Sequence, residues 1–428
     1  MLEKNQYNEK KEEYLVAREI SKEKKKILGP MIRLERQKLR LTRKQIITDG
    51  QGGQICSATT LYRLEKGRVI QESDVYFSLI EKLNSKYVEN RSLDKMIERI
   101  NQKMMSYFET LEKSVAKSLL SEIVTLKGGQ NFYYHQILTG YSDMILVNLN
   151  QKKLTESEYL YYKRLMEFMP EPYNVLLLHL CFCHAYNFIQ KMPEIEFYEC
   201  FLMQFKEYFI IRIDILLLLR SENRFLEYES LHQKISEEIK EKHLINQQCK
   251  VQAFYVQAIA EYQKPELRET LLHLERMMAE NKCQLNPAIY NNICSMMAMT
   301  YYVDLKNYEK AAILFETLLK VDINKMYSIG MYYFSACELS NRQFLPGIFN
   351  GIDIQQTNVY LRYYYLKYIK HLSITDLVHY LKTEVLDELL QNGNELRVSV
   401  FKKQWKLLLE QSPNKFYKDY YAFMKNFE

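Results

Sequence analysis

The sequence predicts an all-α protein with a short N-terminal helical domain followed by a long array of helical hairpins. Only 12 Gly and 8 Pro are spread over 428 residues, whereas sheet-rich folds need turn residues about every 8–12 positions. Apolar residues instead recur at helical spacing along most of the chain. The composition, 47% hydrophobic and 26% charged, is that of a folded protein, and the length exceeds one ordinary core.

Positive charge is concentrated at the N-terminal end. Residues 1–70 hold 17 Lys and Arg against 9 Asp and Glu, so the rest of the chain carries a net charge of −2 out of a total of +6. A basic end suits a polyanionic partner, although a solvated basic helix explains the same asymmetry. Residues 1–27 form a basic extension in this interpretation, and its run 22–26 is either an arm on a polyanion or a solvated helix.

The cysteines and the apolar runs indicate a compartment. The eight cysteines lie mostly inside apolar helical runs, which favours reduced core thiols over a disulfide framework. The N-terminus is charged and lacks the apolar segment of a signal peptide, and no apolar run is long enough to span a bilayer. We therefore expect a cytoplasmic protein with no membrane partner.

The residues that begin and end helices predict a helix-turn-helix domain over 28–87. Pro is well placed in the first turn of a helix, Ser and Thr at the N-cap, and Gly just beyond the C-terminal end. Pro30 is thus expected to open a first helix, Thr42 to cap a second over 43–48, and Ser57 and Gly67 to bound a third over 58–66. Residues 72–87 follow as an amphipathic closing helix.

These residues also resemble the lambda-repressor-like (Cro/C1 or XRE) family. That family has an Arg late in helix one, Leu-Thr before helix two, and Ser-x-x-x-aliphatic-x-x-aliphatic-Glu-x-Gly across its recognition helix. The matching positions are Arg36, Leu41, Thr42, Ser57, Leu61, Leu64, Glu65 and Gly67. In the family the Arg and the Glu form a partly buried ion pair, so the resemblance implies a structural role for Arg36 and Glu65.

The resemblance further implies contacts with double-stranded DNA. The base-reading positions fall on Ala58, Thr59 and Arg63, where Arg can bond a guanine edge and a small side chain can touch a thymine methyl. The other expected contacts are Arg43, Lys44, Ser57, Thr60, Tyr62 and Lys66. The turn over 49–54 is longer than in the simplest family members, which would tilt the recognition helix. The alternative is a helical hairpin that merely looks like a DNA-binding domain.

Residues 88–127 are predicted as a linker, with one long helix over 92–125 that Gly128-Gly129 ends. Beyond it, 128–428 reads as helical hairpins joined by short polar or Pro-containing segments. These joints are expected at 150–155, 169–172, 192–193, 263–265, 286–287 and 321–325. The clearest unit, 287–321, resembles a tetratricopeptide (TPR) repeat at Ala298, Tyr302, Tyr308, Ala311, Phe315 and Leu318. The array is therefore expected to be a TPR-like α-helical superhelix with a concave face.

The whole layout resembles the peptide-responsive quorum-sensing receptors of the Rgg, PlcR, PrgX and NprR group. That resemblance implies a homodimeric transcriptional regulator on two DNA half-sites, with a short oligopeptide in the concave face of the array. Asn side chains suit a peptide backbone because one amide both donates and accepts. The expected peptide contacts are Asn292, Met296 and Thr300, with Asn187, Asn291 and Arg220 as weaker candidates. A mid-helix Asn, however, more often simply faces solvent.

Two other functions fit the same sequence. One is a protein-sequestering scaffold in which the helix-turn-helix domain, residues 28–87 (the head), is vestigial. The other is a phage or plasmid repressor without a peptide ligand. We find no phosphate-binding loop or catalytic motif in the sequence, so we expect neither an enzyme nor a cofactor. The segment 179–184 contains two His and two Cys, and His179 and Cys183 share a helix face. Cys181 points away from that face and a second ligand pair is not evident, so the pattern favours core packing over a metal site.

Overall fold

The chain is helical throughout the residues that the computed structural model describes, which are 19–48, 53–127, 131–189, 192–345, 347–350 and 352–427. Within these ranges extended pairing is limited to isolated bridges, Thr48 with Gln54 and Lys86 with Asn131. The predicted all-α class is confirmed. The chain divides into two compact units, Met1–Gln248 and Cys249–Glu428. In the described part of the chain no helix is both long and apolar enough to cross a membrane.

The first unit begins with the helices of the predicted head and continues through a series of helix pairs. Its helices are α1 (Lys22–Lys38), α2 (Arg43–Ile47), α3 (Ala58–Glu65), α4 (Ser73–Lys82), α5 (Arg91–Thr110), α6 (Lys113–Leu126), α7 (Phe132–Asn148), α8 (Glu156–Met166), α9 (Tyr173–His184), α10 (Met192–Gln204), α11 (Phe209–Ser221) and α12 (Phe225–Glu241). A π-helical turn, Ala185–Ile189, extends α9.

The second unit continues the series. The unit boundary falls within α13 (Ile245–Glu261), and the helices after it are α14 (Leu267–Glu280), α15 (Pro287–Val303), α16 (Tyr308–Val321), α17 (Met326–Leu339), α18 (Val359–Tyr368), α19 (Ile374–Tyr380), α20 (Leu386–Asn392), α21 (Glu395–Gln411) and α22 (Pro413–Met424). Its core is aromatic: the ring of Phe334 lies 5.1 Å from Tyr364 and 5.2 Å from Phe349.

Many chain reversals are made without glycine. Residues other than Gly adopt positive φ just beyond helix ends at Arg40, Asn84, Leu111, Asn150, Asn223, His243, Gln263, Lys306, Asn341 and His371. A left-handed residue there lets the following N–H bond back to a carbonyl of the last turn. Leu41 N, for example, donates to the Arg36 carbonyl at 3.0 Å, and Arg224 N donates to the Leu219 carbonyl at 2.9 Å. A chain poor in Gly can therefore still turn sharply.

The predicted single linker helix over 92–125 is wrong. α5 ends at Thr110, and Leu111 takes a left-handed conformation with φ 56°. α6 then folds back on α5, where Arg99 and Lys103 reach the Glu122 carboxylate at 2.7 and 2.5 Å. The apolar spacing hid this break because Leu111 is itself buried, at 1% exposure, inside the turn.

This α5–α6 hairpin is part of the first unit and does not form a free spacer. The side chain of Gln247 donates to the Phe108 carbonyl at 2.7 Å, and that of Asn246 donates to the Thr110 carbonyl at 3.1 Å. Both bonds occupy carbonyls in the last turn of α5, which have no partner within the helix. The predicted helix break at Gly128-Gly129 lies outside the described residues.

The start of the first helix also differs from the prediction. α1 begins at Lys22 with Ser21 as its N-cap, so Pro30 lies inside the helix. The run 22–26 forms its first turns, and two of its lysines pack inward: Lys24, which pairs with Asp94, and Lys25. Lys25 is 6% exposed and its Nζ donates to the Gln71 carbonyl at 2.5 Å. For these two lysines neither a DNA arm nor a solvated helix is correct, because both are used in packing.

The predicted helix pair over 287–321 is confirmed as α15 and α16. Asn286 caps α15 by accepting from Ala288 N at 3.0 Å, and Pro287 occupies the first helical position. Ala298, Ala311 and Phe315 are fully buried. Small residues at such positions allow close helix approach. The assignment of this pair to the TPR type stays a prediction.

Candidate nucleic-acid interface

Side-chain caps define the two helices of the predicted helix-turn-helix. Thr42 and Gln45 form a reciprocal capping box at the start of α2, with Gln45 N donating to Thr42 Oγ1 at 3.2 Å. Ser57 caps α3 by accepting from Thr60 N at 3.0 Å. Gly67, with φ 74°, ends the segment. These caps and the terminating Gly were predicted from the sequence, and the structure confirms them.

Close packing of α3 on α1 depends on one glycine. A Cβ placed on Gly29 would lie 2.1 Å from the carbonyl oxygen of Leu64, so a larger residue cannot occupy this contact without moving a helix. Leu61 and Leu64 are fully buried on the same side of α3. The orientation of α3 is therefore fixed by backbone approach and by apolar burial together.

The predicted ion pair between α1 and α3 is present. Arg36 Nε donates to Glu65 Oε1 at 2.6 Å, and its Nη1 donates to the Leu41 carbonyl at 2.7 Å. Glu65 is 2% exposed. Its second oxygen accepts from Arg43 Nε at 3.0 Å. One buried carboxylate thus joins helices α1, α2 and α3, and Arg43, expected to contact DNA, also has this structural role.

The opposite side of α3 is exposed together with the start of α2. We call the exposed residues the α2–α3 face: Arg43, Lys44, Ser57, Ala58, Thr59, Tyr62, Arg63 and Lys66. Thr60, also expected there, is half-buried, and its hydroxyl lies 2.9 Å from that of Ser57. The only acid within the described spans of α2 and α3 is the buried Glu65. The α2–α3 face is therefore uniformly basic or neutral.

Tyr62 and Arg43 hold each other on this face. The guanidinium carbon of Arg43 lies 5.3 Å from the centre of the Tyr62 ring, within the range of a cation–π contact. Tyr62 nevertheless stays 48% exposed. An aromatic ring next to an anchored guanidinium gives the face a stiff edge, because Glu65 fixes the other side of Arg43.

The long turn between α2 and α3 is closed at its base. Thr48 pairs with Gln54, and Ile55 N donates to the Ile47 carbonyl at 2.8 Å. Residues 49–52, which carry most of the extra length, lie outside the described residues. Gly29 and Glu65 hold α3 against α1 independently of this turn, and the tilt expected from the longer turn stays a prediction.

Polar contacts attach the head to α5, α7 and α8 within the first unit. We call these contacts the clasp, and it has two ends. At the first end Lys24 Nζ lies 2.6 Å from Asp94 and 3.8 Å from the centre of the Tyr133 ring. Tyr134 Oη donates to the same carboxylate at 2.9 Å, and Ser21 N donates to Glu89 at 2.9 Å.

The second end of the clasp joins the C-terminal half of α1 to α7 and α8. Arg164 Nη1 donates to the side-chain oxygen of Gln37 at 3.0 Å, and Gln136 donates to Glu35 at 3.4 Å. Lys38 Nζ lies 5.8 Å from the centre of the Tyr161 ring. Exposed polar contacts such as that between Arg164 and Gln37 are individually weak, whereas the Lys24 side chain at the first end is only 14% exposed.

The expected peptide contacts are divided between the two units. On α15 of the second unit, Asn292 is exposed, and Asn291 and Met296 are half-buried. Thr300 is buried at 4% exposure and its hydroxyl donates to the Met296 carbonyl at 3.1 Å, so it is the least accessible member of this group. The structure therefore places three of these four residues at a reachable part of one helix.

The weaker peptide candidates belong to the first unit. Asn187 is exposed in the π-helical turn, where its Nδ2 donates to the Cys183 carbonyl at 2.8 Å. Arg220 is half-buried in the last turn of α11. Neither residue lies on the helix that carries Asn292.

A buried polar cluster lies between α9 and α11; sequence reasoning placed His179 and Cys183 on one helix face but missed its third member, Asp214. His179 Nδ1 lies 2.8 and 2.9 Å from the two oxygens of Asp214. Burial alone lowers the pKa of His179, but its neighbours Asp214 and Cys183 outweigh this and raise that pKa to about 10. The available signal was Asp214 itself, an acid in the middle of the apolar helix Phe209–Ser221.

Searches for similar proteins among models of known families, curated protein sequences and solved structures gave no match to this chain.

Proposed function

We propose that this chain is a DNA-binding transcriptional regulator that reads DNA with α3 and is controlled by a short peptide bound to its helical array. The observation that carries the proposal is the α2–α3 face: an exposed, acid-free helix surface whose orientation is fixed from behind by Gly29 and by the Arg36–Glu65 pair. A recognition helix needs this combination, because base readout requires both free side chains and a rigid support.

The roles on the face follow from chemistry and position. Arg63 is the guanine-reading candidate, since a guanidinium bonds the O6 and N7 edge bidentately. Ala58 and Thr59, at the N-terminal end of α3, suit contact with thymine methyl groups. Lys44 and Lys66 suit phosphate contacts, which position a protein without specifying sequence. The N-terminal end of α3 also favours a nearby phosphate.

The direct test is binding of the purified full-length protein to DNA from just upstream of its own gene, with a random duplex for comparison, at several salt concentrations. We expect a preference of at least about 10³ for the upstream DNA. Arg63→Ala should reduce that preference by about 5–150-fold, which corresponds to a loss of about 1–3 kcal/mol at the site. Arg268→Ala, an exposed arginine on α14, is the matched control and should bind as the unmodified protein does.

Equal, weak and strongly salt-dependent binding to both duplexes would contradict the proposal. It would show a basic surface without sequence recognition. The sequestering scaffold would then be the better interpretation of the array. An unchanged preference in Arg63→Ala, with binding otherwise specific, would show that another element reads the bases.

The peptide part of the proposal is supported by the exposed Asn292 and its half-buried neighbours on α15. Short peptides encoded beside the gene are the probes, titrated calorimetrically into the full-length protein. Asn292→Ala should weaken peptide binding by at least about tenfold, because a bidentate amide contact to a peptide backbone is lost. Asn392→Ala, at another exposed asparagine of the same unit, should have no effect. Normal peptide binding by Asn292→Ala would remove α15 from the proposed site.

The proposal includes a homodimer. Two-fold dimers place two recognition helices on half-sites about 34–36 Å apart. Light scattering of the protein alone and on the upstream DNA measures this directly, with two chains per duplex expected. One chain per duplex at saturation would contradict it.

A further inference from the structure

Three metal-ligating side chains converge in the interior of the first unit. His179 and Cys183 lie one turn apart on α9, and Asp214 comes from the facing helix α11. Cys183 Sγ lies 3.6 Å from His179 Nδ1 and 3.8 Å from Asp214 Oδ1, and His179 Nδ1 lies 2.8 Å from Asp214 Oδ2. Nitrogen, sulfur and oxygen donors from two facing helices therefore lie close together.

The cluster is enclosed on most sides. Asp214 is 0% exposed and His179 is 6% exposed. The ring of Phe108 covers the imidazole at a centroid distance of 5.2 Å. Cys183 is only half-buried, so the cluster is more accessible on the side of this residue. A charged group in such surroundings is costly unless it is paired or bound to a metal.

An ion pair between His179 and Asp214 accounts for two of the three side chains. Cys183 contributes only long contacts to that pair: its sulfur lies 3.6 and 3.9 Å from the two ring nitrogens and 3.8 Å from Asp214 Oδ1, near the long limit for a sulfur hydrogen bond. A metal ion would use all three. The convergence of the thiol on the His179–Asp214 pair is the observation that supports a metal site.

We propose that His179, Cys183 and Asp214 bind a divalent transition-metal ion, with Zn²⁺ as the preferred ion. A mixed nitrogen, sulfur and carboxylate set suits zinc, whereas Ca²⁺ and Mg²⁺ take oxygen ligands. In tetrahedral zinc sites with such ligands, neighbouring donor atoms lie roughly 3.2–3.6 Å apart. Of the three distances here, 3.6 Å lies within that range, whereas 2.8 and 3.8 Å lie outside it by a few tenths of an ångström, so side-chain adjustments suffice.

The site would join α9 to α11 through three protein ligands and leave a fourth position for water on the Cys183 side. The tie would stabilise the first unit just before the π-helical turn, which begins at Ala185. This inference is independent of the proposed DNA binding.

The test uses the metal-stripped full-length protein with Co²⁺ as a spectroscopic probe and Zn²⁺ as a competitor. We expect one Co²⁺ per chain, a thiolate-to-cobalt charge-transfer band, displacement of that band by Zn²⁺ and a rise in the melting temperature. Cys183→Ser should remove the band. Loss of an outer-shell partner costs roughly 10–100-fold in affinity, so loss of this ligand should lower Zn²⁺ affinity by more than about 100-fold.

Two controls separate this site from other thiols. Cys181→Ala removes a buried cysteine two residues away, and a Cys200→Ser, Cys283→Ser double variant removes two exposed cysteines. Both proteins should keep the band and the one-to-one stoichiometry. Asp214→Asn should also weaken the band, provided that circular dichroism shows this variant to be folded. If Asp214→Asn does not fold, Cys183→Ser is the milder change that tests the site.

Absence of a charge-transfer band in the unmodified protein would overturn the proposal and leave a buried ion pair beside a thiol. A band that survives in Cys183→Ser, or that vanishes only when the exposed cysteines are changed, would overturn it as well. The latter result would show adventitious surface binding.

Discussion

At the scale of single residues, the buried carboxylate of Glu65 is the most consequential group in the head. It accepts from Arg36 on one oxygen and from Arg43 on the other. The two arginines are not equivalent, because the Arg36 side chain is 9% exposed and the Arg43 side chain is 46% exposed. Only Arg43 can turn to water if the carboxylate is lost. The free energy at stake therefore resides mainly in the Arg36–Glu65 pair.

Glu65→Gln keeps the shape of the side chain and removes its charge. We expect a loss of about 3 kcal/mol in the stability of the head, because the Arg36 guanidinium then stays buried without a counter-charge. The measurement is hydrogen exchange at the amides of α1 and α3, followed by mass spectrometry. The single tryptophan, Trp405, lies in the second unit, so its fluorescence does not report on the head.

Arg43→Gln is the matched control for that prediction. It removes the exposed partner, and we expect a loss of about 1 kcal/mol or less. If exchange in α3 were as slow in Glu65→Gln as in the unmodified protein, the ion pair would not be what holds α3 to α1.

The sequence predicted part of the site, through a family pattern and through local capping preferences. Arg36 and Glu65 could be placed because their spacing matches a known family pattern, and both caps could be placed because Ser and Thr have a local reason to lie there. Asp214 could not be paired with His179 and Cys183, because that contact depends on how α9 packs against α11. Thr300 was expected to face a ligand, whereas the helix turns its side chain inward.

At the scale of helices, Gly29 controls the distance between α1 and α3. Gly29→Ala places a methyl group 2.1 Å from the Leu64 carbonyl oxygen, so the two helices must separate. We expect a destabilisation of about 1–3 kcal/mol. Operator affinity should fall by about tenfold or more, although Gly29 is not an expected DNA contact, because Arg63 moves with α3.

Hydrogen exchange of α3 and the upstream-DNA binding assay measure both effects. Glu23→Ala, at an exposed position of the same helix, is the control and should change neither quantity. Unchanged exchange and operator affinity in Gly29→Ala would mean that the close approach is not required for recognition.

Helix ends separate what the sequence could predict from what it could not. Starts marked by Thr42, Ser57 and Asn286 were predictable because a side chain caps the backbone within a few residues. The end at Leu111 was not, because Leu is a good helix former and disfavours the left-handed conformation. Its burial in the turn at 1% exposure compensates for that local cost. Contacts distant in sequence decide such a position.

At the scale of the whole molecule, the head is not a separate body attached by a spacer. The head, the α5–α6 hairpin and the helices up to Gln248 form one compact unit. The clasp adds Lys24, Asp94 and Tyr134 to the covalent connection between head and array. A peptide that acts on the head must therefore bind more tightly to one arrangement of the clasp contacts than to another. The reason is that a ligand shifts an equilibrium only through its differential affinity for the two states.

The proposed DNA and peptide sites should be coupled in both directions. If the peptide changes operator affinity by some factor, operator DNA must change peptide affinity by the same factor. We expect a factor of about 5–150, which corresponds to a coupling free energy of about 1–3 kcal/mol. The two factors are measured independently, by DNA titrations with saturating peptide and by peptide titrations with saturating operator.

The clasp can be tested with the same two titrations. Asp94→Asn removes the ion pair with Lys24 while retaining side-chain size, and it should bring both factors closer to one. Arg99→Ala removes an ion pair of α5 that lies outside the clasp, and it should leave both factors unchanged. Equal and unaltered factors in Asp94→Asn would show that coupling reaches the head by another route. Factors of one in the unmodified protein would mean that the peptide does not change operator affinity, and this would contradict regulation of DNA binding by peptide occupancy.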